Sequence, residues 1–214
     1  MNPVTAAIAA GAERLEVALG PGVAERLGAL VDELLRWNRR INLVAPCTAA
    51  EAVERHVLDS LAVLRLLDLP EVRALATDWW DVGAGSGFPG LALALARPEL
   101  GLTLVEPIGK KVAWLREAGA RFGLERLTVR QARAEALGGE TRPGALSRAT
   151  FAPEHWARLA EGLVPPGGPI VVMMGAGAPD EVTTRAWRSD RLALPESGAT
   201  RINVIVRADA ATPA

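Results

Sequence analysis

Between Gly22 and Trp37, apolar side chains recur three and four positions apart, at Val23, Leu27, Leu30, Val31, Leu34 and Leu35, a spacing that predicts an amphipathic helix. After a loop containing Pro46 the same period returns from Ala52 to Leu67, with Val53, Val57, Leu61, Leu64 and Leu67 on one face. The pattern then changes. Short apolar runs predict strands at Thr77–Val82, Leu102–Glu106, Leu127–Gln131, Ala145–Ser147, Ile170–Met174, Leu192–Leu194 and Ile202–Val206. Helical stretches alternate with them at Leu91–Arg97, Lys110–Phe122, Pro153–Leu163 and Glu181–Arg188. Such alternation implies an α/β fold with a Rossmann-like, mostly parallel seven-stranded sheet covered on both faces. The expected organisation is one compact unit: an N-terminal helical extension over residues 1–75, a sheet domain over 76–208 and a frayed tail over 209–214.

The most informative stretch joins the first predicted strand to the helix after it: Asp81-Val82-Gly83-Ala84-Gly85-Ser86-Gly87-Phe88-Pro89-Gly90. A glycine turn between a strand and a helix lets a ligand approach the backbone, and the helix start offers unpaired N–H groups. Two frames fit. Gly85 to Gly90 matches the dinucleotide pattern G-x-G-x-x-G, which alone is weak. The frame D-x-G-x-G-x-G starts at Asp81, and a carboxylate at the mouth of the site would repel a pyrophosphate. It suits a ligand with an amino group and a sulfonium, so the frame favours S-adenosylmethionine over NAD. The second predicted strand ends at Glu106, nineteen positions past Gly87. An acid there can accept hydrogen bonds from both hydroxyls of a ribose.

Composition narrows the field. With 214 residues and half its side chains apolar, the chain can bury one substantial core. Cys47 is the only cysteine, so no internal disulfide forms, and His56 and His155 are too few to suggest a zinc site. No apolar run approaches membrane-spanning length and the N-terminus lacks a basic secretory start, so a soluble cytoplasmic protein is expected. A net charge of −1 gives no global sign of nucleic-acid binding, and any such contact must rest on a local patch. Lys110 and Lys111 are the only lysines and stand at a predicted helix start, where the dipole disfavours cations. Arg36, Arg39 and Arg40 cluster near Trp37 and Asn38, while Arg130, Arg133 and Arg148 fall near strand ends. Together they read equally as a basic groove and as solvated charges. His56 and Asp59, at helical spacing, form either a pair or a satisfied polar face, and no acid–base chemistry is assigned to them.

Several of these residues recur in a known order: Trp37-Asn38 with Ile41-Asn42-Leu43, Arg55-His56-x-x-Asp59-Ser60-Leu61, and the glycine run ending Phe88-Pro89-Gly90. Gly109-Lys110-Lys111 with Leu115, Ser147-Arg148-Ala149, and Gly198-Ala199 with Arg201, Val204 and Ile205 continue it. Over about residues 30 to 207 the chain resembles the ribosomal small-subunit methyltransferase G family, also known as glucose-inhibited division protein B. The resemblance implies a class I S-adenosylmethionine-dependent enzyme that methylates N7 of a guanine in 16S ribosomal RNA. Cofactor contacts are then expected at Asp81, Gly83, Gly85, Gly87, Phe88, Glu106, Ala134, Glu135 and Arg148. RNA contacts are expected at Asn38, Arg39, Arg40, His56, Lys110, Lys111 and Arg201. Three features depart from the family: Pro143-Gly144 stands where it has an aspartate, Met174 where it tends to carry a lysine, and the tail after Val206 is less basic than the resemblance implies.

The lone pair of guanine N7 lies in the plane of the base and needs no deprotonation. No general base is therefore required, and Arg133 and Arg148 are expected to position the reactants. The expected partner is 16S rRNA or the small ribosomal subunit, with no metal and no membrane, and the protein is expected to act as a monomer. A nicotinamide-dependent oxidoreductase, a methyltransferase for another substrate and a non-catalytic RNA-binding assembly factor stay open at this point.

Overall fold

The computed structural model describes residues 2–177 and 179–208 of the chain; the expected tail, 209–214, lies outside them. The first helix, α1 (Pro3–Arg14), was not foreseen, although its start is well signalled. The Asn2 side chain accepts the Val4 N–H at 2.9 Å, and Pro3 occupies the first turn, where its missing N–H costs nothing. The predicted amphipathic helix is α2 (Val23–Ile41), with Arg39 and Arg40 in its last turn, where cations complement the dipole. The single helix expected from Ala52 to Leu67 is instead a series of turns. A capping box of Thr48 and Glu51 opens α3 (Ala49–Ala52), which runs into a π-helical segment, Val53–Leu58, and then α4 (Asp59–Leu61). Two further turns, α5 (Leu64–Leu67) and α6 (Pro70–Arg73), lead to the sheet.

The strands are β1 (Asp78–Val82), β2 (Gly101–Val105), β3 (Leu127–Arg130), β4 (Gly144–Arg148), β5 (Pro169–Met174), β6 (Arg188–Ala193) and β7 (Thr200–Arg207). Their order is β3-β2-β1-β4-β5-β7-β6, and β7 alone of the seven runs in the opposite direction to the rest, pairing antiparallel with both β5 and β6. The intervening helices are α7 (Gly90–Ala96), α8 (Gly109–Arg121), α9 (Pro153–Glu161) and α10 (Asp180–Thr184). The helix expected to reach Arg188 ends at Thr184, and β6 begins at Arg188 rather than at Leu192. The strand is the sheet edge, half-buried on alternate residues only, so Arg188-Ser189-Asp190-Arg191 carries little apolar signal.

Two apolar clusters cover the two faces. One joins the N-terminal helices to the sheet through Leu27, Leu30, Leu58, Leu61, Leu91, Leu95 and Leu104. The other gathers Trp80, Val82, Trp156, Ile170 and Val204. Every residue of α7 is buried, because α2 and α4 pack over it; a helix enclosed on all sides can be apolar all round. From β1 the chain steps outward through β2 and β3, then returns to build β4 on the other side of β1. That reversal leaves a crevice beyond the carboxyl ends of β1 and β4, the place where open α/β sheets bind ligands. Among the described residues no helix is long and apolar enough to cross a membrane.

Gly90, at the start of α7, is tightly enclosed: a Cβ there would lie 2.3 Å from Leu104 Cδ2 and 2.5 Å from Asp81 Oδ2. Gly90→Ala is expected to destabilise the fold by about 1–3 kcal/mol, read as a lower urea midpoint; an unchanged midpoint would show that β1 and α7 can separate freely.

Candidate active site

The turn after β1 is held almost atom by atom. Gly83, Gly85 and Gly87 have φ of 76°, 55° and 91°, in the left-handed region that favours glycine. The Gly83 and Ala84 N–H groups donate to Val105 O at 2.9 and 3.0 Å, and Gly87 N–H donates to Ala84 O at 2.7 Å. Trp114 Nε1 donates to Ser86 O at 2.9 Å, and Thr150 Oγ1 to Gly83 O at 3.0 Å. A Cβ on Gly83 would strike Thr150 at 2.4 Å, and one on Gly87 would strike Leu91 at 2.4 Å. At Gly85 only a backbone oxygen at 3.7 Å would be met, so its backbone is open to the crevice.

Glu106 follows β2 and is 3% exposed. Its Oε2 accepts the Gly85 N–H and its Oε1 the Ile108 N–H, each at 2.9 Å. A carboxylate oxygen can accept more than one hydrogen bond. Both Glu106 oxygens therefore keep acceptor capacity in a wall that faces the cleft, as a vicinal diol requires. This acid and the open backbone at Gly85 fit an adenosine ligand.

Asp81 has a different task from the one expected. It is 1% exposed and does not line the cleft; Oδ2 accepts the Gly90 N–H at 2.9 Å, while Oδ1 is buried without a partner. The carboxylate thus secures the start of α7. Burial drives its pKa up from 3.8 to about 7, against the Gly90 hydrogen bond and the Arg148 charge, which lower it.

The cleft, about 1450 Å³, is completed by the end of β4, the π-helical segment with α4, and the β6–β7 turn. Arg148 Nη1 donates to Asp59 Oδ2 at 2.9 Å and to Arg55 O at 2.8 Å, and its Nη2 lies 3.2 Å from His56 Nδ1. Arg201 Nε donates to the other Asp59 oxygen at 2.5 Å. The His56 ring packs against Phe88, with centroids 5.4 Å apart, and its pKa falls to about 4, mainly through burial and then through the Arg148 charge. Glu54 Oε1 accepts the Glu196 and Ser197 N–H groups and the Ser197 hydroxyl, fixing the β6–β7 turn.

Of the expected site residues, Gly83, Gly85, Phe88, Glu106, His56, Lys111, Arg148 and Arg201 line the cleft together. Others do not. Gly87 faces Leu91 and Leu115 inside the fold. Arg133, Ala134 and Glu135 form the start of a 3-10 turn, with Arg133 and Glu135 exposed and none of the three in the wall. Arg133 therefore has no visible positioning role. The Asn38 side chain accepts the Leu43 and Val44 N–H groups at 2.7 and 2.9 Å, closing the turn after α2. Arg39, Arg40 and Lys110 are exposed outside the cleft. Asp59 and Glu54 were not foreseen in these roles. The spacing of His56 and Asp59 on one helix hinted at the first; nothing local marks the second. Met174 lines the cleft, and Gly144 backs onto the Trp79 ring, which a Cβ would meet at 2.5 Å. Among the described residues, no three His, Cys, Asp or Glu side chains gather as metal ligands would.

A family model described as rRNA small subunit methyltransferase G matches residues 23–195. A ribosomal RNA small subunit methyltransferase G from Myxococcus xanthus (strain DK1622) is 42% identical over 211 residues, spanning 91% of this chain and 92% of its own length. Another, from Anaeromyxobacter sp. (strain Fw109-5), is 37% identical over 195 residues, spanning 88% and 86%. Among solved structures, an O-methyltransferase from Bacillus cereus in complex with SAH superposes with a TM-score of 0.54 at 16% identity, covering 83% of this chain and 90% of its own. TrmN from Thermus thermophilus gives 0.52 at 20% identity, covering 69% and 48%. At such identities these two show a shared fold and no more.

Two outcomes follow from the site. Folding raises the Asp81 pKa, so the stability it contributes is complete below about pH 4 and is lost as pH rises toward 7. The stability difference between the native protein and Asp81→Asn, from urea unfolding, should therefore shrink by on the order of 2 kcal/mol between pH 5 and pH 8; a pH-independent difference would contradict the buried, proton-holding carboxyl. Glu106→Ala should weaken S-adenosylhomocysteine binding by about 1.5–3 kcal/mol in calorimetry, and native affinity in the variant would remove Glu106 from the cofactor site.

Proposed function

This chain belongs to the rRNA small subunit methyltransferase G family, and from that premise we propose that it transfers a methyl group from S-adenosylmethionine to N7 of a guanine in 16S ribosomal RNA, as a monomer in the cytoplasm. The observation that carries this reading is Glu106: a buried carboxylate with unused acceptor capacity, facing the cleft beside the open backbone of Gly85 at the sheet's reversal point. Glu106 would hold the ribose hydroxyls, and the backbone from Gly83 to Gly85 would admit the rest of the nucleoside. When bound, S-adenosylmethionine supplies an electrophilic methyl group on a sulfonium.

The protein's own residues then have a limited task. Guanine N7 attacks through a free lone pair, so nothing need remove a proton. Three titratable groups of the wall are in keeping with that: Asp59 is engaged by two arginines, Glu106 by two backbone amides, and neutral His56 by Arg148. What they offer is fixed geometry, and holding two reactants in line is worth up to roughly 7–11 kcal/mol in favourable cases. Lys111 in the cleft wall, with Lys110, Arg39 and Arg40 exposed outside the cleft, would contact the RNA phosphates.

The test is transfer from methyl-labelled S-adenosylmethionine to small subunits and to protein-free 16S rRNA, both from cells lacking this protein. Nuclease digestion and mass spectrometry should place the label in 7-methylguanosine. Label in any other nucleoside, or in none from either substrate, would overturn the proposal.

A further inference from the structure

Within the cleft, one side chain is held in a single chemical form by its neighbours. Arg148 Nη2 lies 3.2 Å from His56 Nδ1, and a guanidinium has hydrogen-bond donors but no acceptor. Nδ1 must therefore accept. In a neutral imidazole the hydrogen then resides on Nε2. Doubly protonated His56 would set two donors against each other beside a positive charge, and the ring's lowered pKa, about 4, agrees with its exclusion. Arg148 is itself immobilised by Asp59 and the Arg55 carbonyl, with its side chain only 15% exposed. The ring packs against Phe88 of the glycine turn, tilted by 32° with centroids 5.4 Å apart. His56 lines the cleft, and among the described residues its Nε2 has no hydrogen-bond partner and is not one of the buried unpartnered atoms. The result is a rigid, uncharged N–H donor presented to whatever enters.

We propose that Asp59, acting through Arg148, sets His56 as a neutral imidazole with its hydrogen on Nε2, and that this N–H reads O6 of the target guanine. The inference rests on the methyltransferase reading above and adds the means of choosing the base. Guanine carries an acceptor at position 6 where adenine carries an amino donor. A fixed donor accepts the first base and opposes the second, and a site built around a buried hydrogen bond discriminates more strongly than one built on shape. His56 would thus be a specificity residue, and Asp59 and Arg148 the positioning residues that keep its tautomer fixed. An ionised histidine could be satisfied by phosphate anywhere along the RNA; a neutral one prefers a carbonyl oxygen in the plane of the ring.

Two measurements test this. With only two histidines in the chain, histidine-labelled protein carrying His155→Gln should show a single imidazole by nitrogen NMR. Its pattern should be that of the neutral Nε2–H form between pH 6 and pH 8, and Asp59→Asn should turn it into a tautomer mixture. A protonated ring, an Nδ1–H form or an unaltered pattern in the Asp59→Asn variant would overturn the positioning role.

The second measurement uses small subunits reconstituted with the mapped guanosine replaced by inosine, which keeps O6, or by 2-aminopurine riboside, which lacks it. The native protein should methylate the inosine substrate within about threefold of guanosine and 2-aminopurine at least about tenfold less well. In His56→Phe, which keeps a ring against Phe88, the guanosine-to-2-aminopurine ratio should shrink toward that set by the bases alone. The same ratio in both proteins would overturn base reading by His56. So would a loss of S-adenosylhomocysteine affinity in His56→Phe, because the donor would then serve the cofactor. If native protein fails to methylate guanosine in the control particle, the methyltransferase reading fails instead, and the two failures are told apart.

Discussion

The cleft depends on a buried carboxylate that cannot be left without partners. Glu106 is removed from water, and a charge so placed must be compensated by hydrogen bonds. Two backbone N–H groups do this, from Gly85 on one side and Ile108 on the other. The same bonds fix the shape of the glycine turn relative to β2. The turn's left-handed glycines, its hydrogen bonds to Val105 and the Trp114 indole on Ser86 are consistent only with that one shape. Since the acid accepts only one N–H on each oxygen, the bonds that build the site also leave its ligand-facing capacity intact.

A second constraint lies opposite, where the N-terminal helices meet the sheet. Asp59 is almost wholly buried and binds Arg148 from the end of β4 and Arg201 from the start of β7. Removing such charges from water is expensive, and pairing often does no more than break even. The cluster is therefore better understood as specifying geometry than as stabilising the fold. It ties three distant pieces of chain at one point and leaves His56 with one permitted protonation state. The π-helical segment takes part because its wider turn resets the face that the helix presents, and π-helical turns are frequent at functional sites. The N-terminal helices thus do more than cover α7: they supply one wall of the cleft.

The strand–turn–helix grammar around Asp81 to Gly90 was legible in the chain because it is local. Short apolar runs, period-3.6 apolar spacing, three close glycines and an acid at a fixed distance each reflect what neighbouring residues impose on one another. The strand β6 was only partly legible, since an edge strand keeps polar residues and has half the usual apolar signal. The roles of Asp81 and Gly87 were misjudged for a related reason. Both belong to the motif expected to hold the ligand, yet Asp81 serves the Gly90 amide and Gly87 the packing of Leu91 and Leu115. Proximity in sequence to a ligand loop does not say on which side of the backbone a group lies. Arg133, Ala134 and Glu135 stand apart from the cleft because a 3-10 turn carries them beyond its wall.

What the amino-acid order determined by itself is the α/β class, the positions of most strands and helices, the glycine turn and the acid that follows the second strand, all products of interactions within a few residues or of a regular period. The tertiary structure alone decided which charges meet. Asp59 finds Arg148 and Arg201 at separations of 89 and 142 residues, and Glu54 finds the Ser197 amide 143 residues away. No local pattern encodes such pairings, because they arise only when the sheet has closed its order and burial has made an unpaired charge too costly to keep.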